Sequence, residues 1–391
     1  MSSGKTETAV VYTSDADSAE AGRQLGDQIV QSLSGAPDAL ILFVSPKYDA
    51  PVLVKAVQDR TKAKVTVGCS SAGEFTSETQ GEGKACAVAI KSSQLQFTAG
   101  IGRGITSDRR KAAEDMAANF RCNKEASKEY CAALILTDAL AGHADELIEE
   151  LTLISGGNHQ FFGGGAGDDA NFKRTQVFLN DEFATDAAIA LEIISQKPIG
   201  IGVRHGWSPA TPPMRVTESK GAVLVSLNAA PVLEVFEDHA KQTGQKFDRS
   251  DPLPFFLHNI IGIDTGNGHK LRVPLAVNPD GSVLCAAEIP VGASVCIMST
   301  DAESARDAAA NATKAAVEQL HGHQPQVALF FDCVATRLRL GRDFGIELDA
   351  LRQVLGSTQF AGCNTYGQVA RTEGQFNGFH NCTAVVCVLP S

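Results

Sequence analysis

The chain has 391 residues, of which 43% are hydrophobic and 20% charged, and its formal net charge is −11. This length predicts two or three domains with sizeable cores, and the composition excludes a disordered chain. The acidic balance and the lack of any long basic run argue against nucleic acid or an anionic membrane surface as a partner.

The first residues, Met1 to Thr8, are polar and lack the apolar core of a signal peptide. Ala9 to Thr13 reads as a short strand, and Ser18 to Ser34 as an amphipathic helix with Leu25, Ile29, Val30 and Leu33 on one face. Ala39 to Ser45 is a continuous apolar run, as expected of a strand buried on both faces. Ala50 to Thr61 follows as a helix. Val65 to Val67 is a strand leading into Gly68-Cys69-Ser70-Ser71-Ala72-Gly73-Glu74-Phe75, a turn of small residues bracketed by glycines. Ala85 to Ile90 and Leu95 to Ile101 predict an antiparallel pair joined at Lys91-Ser92-Ser93-Gln94.

The pattern then recurs. Asp108 to Arg121 is a helix, Ala132 to Thr137 an apolar strand and Ala144 to Ile154 a helix. Gln160-Phe161-Phe162 enters Gly163-Gly164-Gly165-Ala166-Gly167-Asp168-Asp169. Thr175 to Leu179 and Ala187 to Ile194 predict another antiparallel pair. A third copy lies near the C-terminus. Asp301 to Leu320 is an alanine-rich helix, Val327 to Phe331 a strand and Glu347 to Val354 a helix. Gln359-Phe360 leads into Ala361-Gly362-Cys363-Asn364-Thr365-Tyr366-Gly367-Gln368. Gly374 to Asn377 reads as a turn, and Thr383 to Leu389 as a closing strand. In each copy the apolar strand precedes the glycine turn by about thirty residues, room for one helix and a short strand.

Between the second and third copies, Gly206 to Thr300 does not repeat. Its proline-rich start, Trp207 to Pro213, marks the domain boundary, giving 1–209 and 210–391. Ala222 to Leu227 is a strand, and Pro231 opens a helix running to about Lys241. Thr243 to Leu253 is a polar loop. Leu271 to Val277 and Ser282 to Glu288 form a hairpin across Asn278-Pro279-Asp280-Gly281. The fold class is therefore α/β with mixed sheets: related helix–strand–helix–strand units in layers, plus a β-rich insert.

The ten cysteines form no Cys-x-x-Cys pair and lie mostly in apolar runs. They predict buried free thiols of a cytosolic protein rather than a disulfide framework. No run of about 18 apolar residues exists, so a soluble, cytoplasmic protein without a membrane span is expected.

The glycine turns concentrate the candidate chemistry. They lack Gly-Lys-Ser/Thr and a dinucleotide fingerprint, and no good helix follows Gly163 to Gly167, so they make poor phosphate cradles. Ser70 and Cys69 have the shape of a nucleophile site. An elbow needs a helix straight after the serine, and Gly73-Glu74-Phe75-Thr76 does not supply one. A ligand pocket suits the turns better. Cys69, Ser70, Ser71, Glu74, Gly164, Gly165, Asp168, Asn364, Thr365 and Gln368 would line it, joined by Arg272, His380, Asn381 and Thr383 if the two halves face each other. Arg272 is the expected carboxylate clamp, because a planar guanidinium binds two oxygens at once.

Gly68 to Glu74 resembles the first signature of the FIST domain, and Phe162 to Asp168 resembles its second. Val216-Thr217, Ala230-Pro231, Arg272, Ile289-Pro290-Val291-Gly292, Ala361 to Gln368 and Phe379-His380-Asn381-Cys382-Thr383 resemble the FIST C-terminal half. Gln368 departs from the pattern, since a Glu is common there. The resemblance implies a two-half sensory protein that binds a small ligand and acts on a signalling partner, rather than an enzyme. One branch of the family carries haem, senses nitric oxide and regulates a histidine kinase or a cyclic-di-GMP enzyme. The resemblance is also compatible with a homodimer. Haem b would need an axial His, Cys, Met or Tyr beside an apolar pocket. His239, on a helix with Val232, Val235 and Phe236, and His258, within Pro254 to Ile261, have the most apolar settings of the nine histidines. Without Cys-x-x-Cys-His, c-type attachment is excluded. The alternatives are an amino-acid-like ligand without haem, and a hydrolase or transferase using Cys69 or Ser70.

Overall fold

The computed structural model describes residues 5–122, 129–372 and 377–391. Its strands form three six-stranded mixed sheets and a nine-stranded insert sheet. The turn expected at Gly374 to Asn377 falls almost wholly outside the described residues.

Each repeat copy builds the middle of one sheet. In the first, Ala39–Val44 pairs in parallel with Thr66–Ser70; in the second, Tyr130–Thr137 with Gln160–Gly165; in the third, Pro325–Cys333 with Phe360–Thr365. A β-strand turns alternate side chains to opposite faces, and here both faces are dry. Leu40, Leu42 and Val44 meet the helices Ser18–Ser32 and Ala50–Thr61, while Ala39, Ile41 and Phe43 enter a core shared with the other two sheets. That shared core holds Leu134, Leu136, Ile189 and Leu191 from the second sheet and Leu329, Phe331, Val385 and Cys387 from the third. Arg109–Ala117 and Ala144–Ile154 cover the outside of the second sheet, and Ala302–Glu318 and Gly345–Leu355 the outside of the third. Four of these helices open on an aspartate that accepts from a first-turn N–H: Asp17, Asp49, Asp108 and Asp301.

Neither of the two antiparallel pairs expected within the first two copies forms. Ala85–Ser92 pairs with Thr6–Thr13 and Ala39–Val44, whereas Leu95–Arg103 lies in the second sheet beside Ala187–Ser195. The Ser92 hydroxyl accepts from the N–H groups of Gln94 and Leu95, and the chain passes there from one sheet to the next. Val177–Leu179 likewise pairs with Thr66–Ser70 of the first sheet, not with Ala187–Ser195. The strand after each glycine turn crosses to a neighbour. Glu74–Thr76 joins the third sheet, Val177–Leu179 the first and Gln368–Arg371 the second. The result is a cyclic exchange of strands among three related units.

The free-thiol expectation fails at Cys122 and Cys131, which are disulfide-bonded with Cα atoms 6.2 Å apart. Buried Glu192 draws them together: it accepts from the N–H groups of Arg121 and Cys122, on a strand that pairs with the one holding Cys131. The helix expected to reach Arg121 ends at Ala117. In the insert, Leu271 to Val277 splits into His269–Arg272 and Pro274–Val277, and the latter pairs with Val283–Cys285 across the expected turn. Among the described residues no helix is long and apolar enough to cross a membrane.

Candidate functional site

Because each sheet takes its neighbour's strand, the three glycine turns meet and their backbones are laced together. Ala72 N–H donates to Asn364 O (3.0 Å), and Asn364 N–H to Gly73 O (2.9 Å). Gly167 N–H donates to Ser70 O (2.9 Å) and Asp169 N–H to Ser71 O (3.2 Å). Gly165 N–H donates to Gly367 O and Tyr366 N–H to Gly165 O, both at 2.9 Å. Contact this close needs glycine. A Cβ on Gly164 would lie 2.9 Å from both Gly367 O and the Thr365 side chain. Gly73 holds φ +127°, where side chains are strained.

The turns therefore bring most of the candidate residues together, but many are spent on locking the junction. Ser70 Oγ accepts from Gln176 N–H (3.0 Å). Cys69 is buried in the common core with Cys363. Asp168 accepts from the N–H groups of Phe172 (2.8 Å), Lys173 (2.7 Å) and Arg174 (2.9 Å) and from the Tyr366 hydroxyl. Burial raises the Asp168 carboxyl, and those donors more than offset it, so it sits below its ordinary value. Thr365 Oγ1 donates to Asp332 O and accepts from the Gln368 amide, whose oxygen accepts from Thr383 N–H.

Arg272 lies elsewhere and has its donors occupied. It bonds Asp145 (2.6 Å) and the carbonyls of Glu288, Leu271 and Phe379, tying the insert to the helix over the second sheet. His380 is buried beside it, and burial, with Lys270 and Arg272 nearby, pushes its imidazole down to about 3, so it is neutral. Asn381 Oδ1 accepts from Val273 N–H.

Glu74 differs from the rest. It is fully buried and accepts from the Ser71 hydroxyl and from Lys84 N–H (3.0 Å). Burial pushes its carboxyl up to about 8 against those hydrogen bonds. It floors a cavity enclosing about 1000 Å³ including its open mouth, shared with Asn364, Gln80, Glu82, Arg337 and Arg342. Arg337 Nη2 pairs with Glu82 (2.7 Å), while its Nη1 is buried over Gly73 with no hydrogen-bond partner among the described residues. The sequence reading missed both arginines. Arg337 lies just past the end of a buried strand, on the short helix Val334–Leu340, and Arg342 on the helical turn Gly341–Phe344 that follows it.

That helix separates the polar cavity from a second, apolar one, and Leu338 lines both. The apolar cavity encloses about 600 Å³ with its mouth, among Leu140, Phe172, Leu257, Val273, Cys333 and Tyr366, with Asn381 and Gly367 at its edge. Neither haem candidate lines either cavity. His239 Nε2 is bonded to Asn259 Oδ1 (2.9 Å), and His258 is exposed near Arg339. These histidines do not fit an axial role at the apolar cavity.

Two family models match the chain, one described as FIST N domain over residues 38–230 and one as FIST C domain over residues 233–371. No curated protein matches it. Among solved structures, T. maritima PurL complexed with AMPPCP aligns with 99% of this chain and 72% of that one at 12% identity, with a TM-score of 0.21. A score that low carries no argument about fold or ligand.

Proposed function

Since the chain belongs to the FIST family of sensory ligand-binding domains, we propose that it senses a small carboxylate-bearing molecule in the cavity over Glu74. One observation carries this reading. A guanidinium nitrogen of Arg337 lies buried without a partner among the described residues, in a cavity that Arg342 also lines and above a carboxylic acid that burial keeps neutral. A buried donor without an acceptor is costly, and a ligand carboxylate supplies the acceptor in a geometry the guanidinium fork matches. Neutral Glu74 does not repel the anion, and Asn364 adds an amide for its polar end.

The ligand would bridge Gly73 of the first copy and the Val334–Leu340 helix of the third. It would bias their arrangement only by binding one arrangement better than another. The partner we propose is a histidine kinase or a cyclic-di-GMP enzyme, as the family resemblance implies. Binding rather than catalysis is supported by the burial of Cys69 in the core and the engagement of Ser70 with Gln176.

Calorimetry with a panel of small carboxylates, amino acids among them, tests the reading, with haem titration as the competing arm. Losing a buried charged partner costs about 2 kcal/mol or more, so Arg337→Ala should weaken carboxylate binding by about 30-fold or more. Equal affinity in the variant would overturn the site. A Soret band that vanishes in His239→Ala or His258→Ala would favour haem instead.

A further inference from the structure

Eight cysteines are free, and one of them differs from the others in setting. Cys69, Cys86, Cys363 and Cys387 lie in or against the closed core, and burial pushes Cys285 up to about 12. Cys333 ends the strand Pro325–Cys333, precedes the helix Val334–Leu340 and lines the apolar cavity. Cys382 lies against it in the same apolar cluster as Trp207, Val273 and Met298, and lines a small adjoining cavity. Cys382 holds a left-handed backbone (φ +49°), which few non-glycine residues adopt.

The sulfur of Cys333 is the focus of several donors. The Cys382 thiol, the backbone of Cys382 and Ala335 and the Gln368 side chain surround it. The Cys382 hydrogen bond is the leading cause holding Cys333 down to about 6, against burial. The same contact raises Cys382, so the shared proton stays on Cys382. The thiolate is the reactive form of cysteine.

The geometry points to Cys333 as an oxidation site opening onto the apolar cavity, with Cys382 as its resolving thiol and a hydroperoxide with an apolar body as the oxidant. The Cys333 sulfur attacks the terminal peroxide oxygen. The O–O bond breaks, the alkoxide leaves and takes a proton to become the alcohol, and Cys333 becomes a sulfenic acid. The Cys382 sulfur then attacks the Cys333 sulfur, an S–S bond forms and the hydroxyl leaves as water with the Cys382 proton. The two thiols lose two electrons, and the hydroperoxide gains them. The new bond would constrain the start of the helix that carries Leu338 and Arg337, and so both cavities. This inference does not rest on the carboxylate reading.

The test treats the full, reduced chain with cumene hydroperoxide or hydrogen peroxide and maps peptides without reduction. A Cys333–Cys382 peptide lighter by two hydrogens should form first, at least tenfold faster with cumene hydroperoxide than any modification of Cys69, Cys285 or Cys363. In Cys382→Ser, dimedone should trap a sulfenic acid at Cys333. Oxidation that starts at another cysteine, or a Cys333–Cys382 bond that forms only in denaturant, overturns the proposal. The wild-type mapping decides even if the variant fails to fold.

Discussion

Glu74 and Gln368 occupy matching places in two units. Each follows a left-handed glycine, Gly73 (φ +127°) or Gly367 (φ +98°), and each sits opposite the glycine-turn strand of the neighbouring unit, at Cys363 or Gly164. Their chemistry differs with their partners. Gln368 needs an amide, since it donates to Thr365 and accepts from Thr383. Glu74 accepts at both oxygens and faces a cavity. Burial raises Glu74 from its ordinary 4.5 to about 8. Over that window the folded protein keeps a proton that the unfolded chain has released, so this group's contribution to stability falls as pH rises and is fully lost above about 8. Denaturant unfolding of wild type and Glu74→Gln at pH 5, 6.5 and 8 should show the wild type losing stability relative to the variant with each step. A constant difference would mean that Glu74 does not titrate in that range.

The strand that follows each glycine turn is the element that joins the units. Glu74–Thr76 is only three residues long, yet its Phe75 lies against Gly362, with ring centroids 5.4 Å from Phe330 and 5.8 Å from Phe344. A Cβ on Gly362 would meet that ring and the Phe330 carbonyl. Phe75→Ala should therefore cost about 3–5 kcal/mol in chemical denaturation, as for a large buried aromatic. A cost below about 1 kcal/mol would show that the exchanged strand adds little to the third sheet. Three-residue strands of this kind carry almost no sequence signal, because their pairing is made by another part of the chain.

At the scale of the molecule, the exchange ties the ends of the chain to its start. The third sheet takes Glu74–Thr76, and the second takes Gln368–Arg371 and Asn377–His380. Strands therefore cross the boundary drawn at residue 209. Asp145 adds a charged tie, bonding Lys270 and Arg272 of the insert and Phe379 N–H. Residues 1–209 and 210–391 expressed separately should each lack a cooperative thermal transition in circular dichroism, because each is missing strands the other supplies. Co-expression should restore one. A cooperative transition from 1–209 alone, near that of the full chain, would show that the exchanged strands are dispensable.

Local order was legible in the residues themselves. The helices, the three apolar strands and the three glycine turns followed from periodicity and repetition, which act over a few residues. So did the expectation that the turns would approach one another. Strand partners did not follow. Runs such as Ala85 to Ile90 are buried on both faces, and a strand without a polar face does not indicate which neighbour it joins. The pairing of Cys122 with Cys131 depends on Glu192, some sixty residues further on. The tertiary structure also decided which polar residues lock the junction and which face a cavity. Arg272 is engaged because the insert folds back onto Asp145, and Arg337 keeps a nitrogen that is unpaired among the described residues because its helix lies across Gly73.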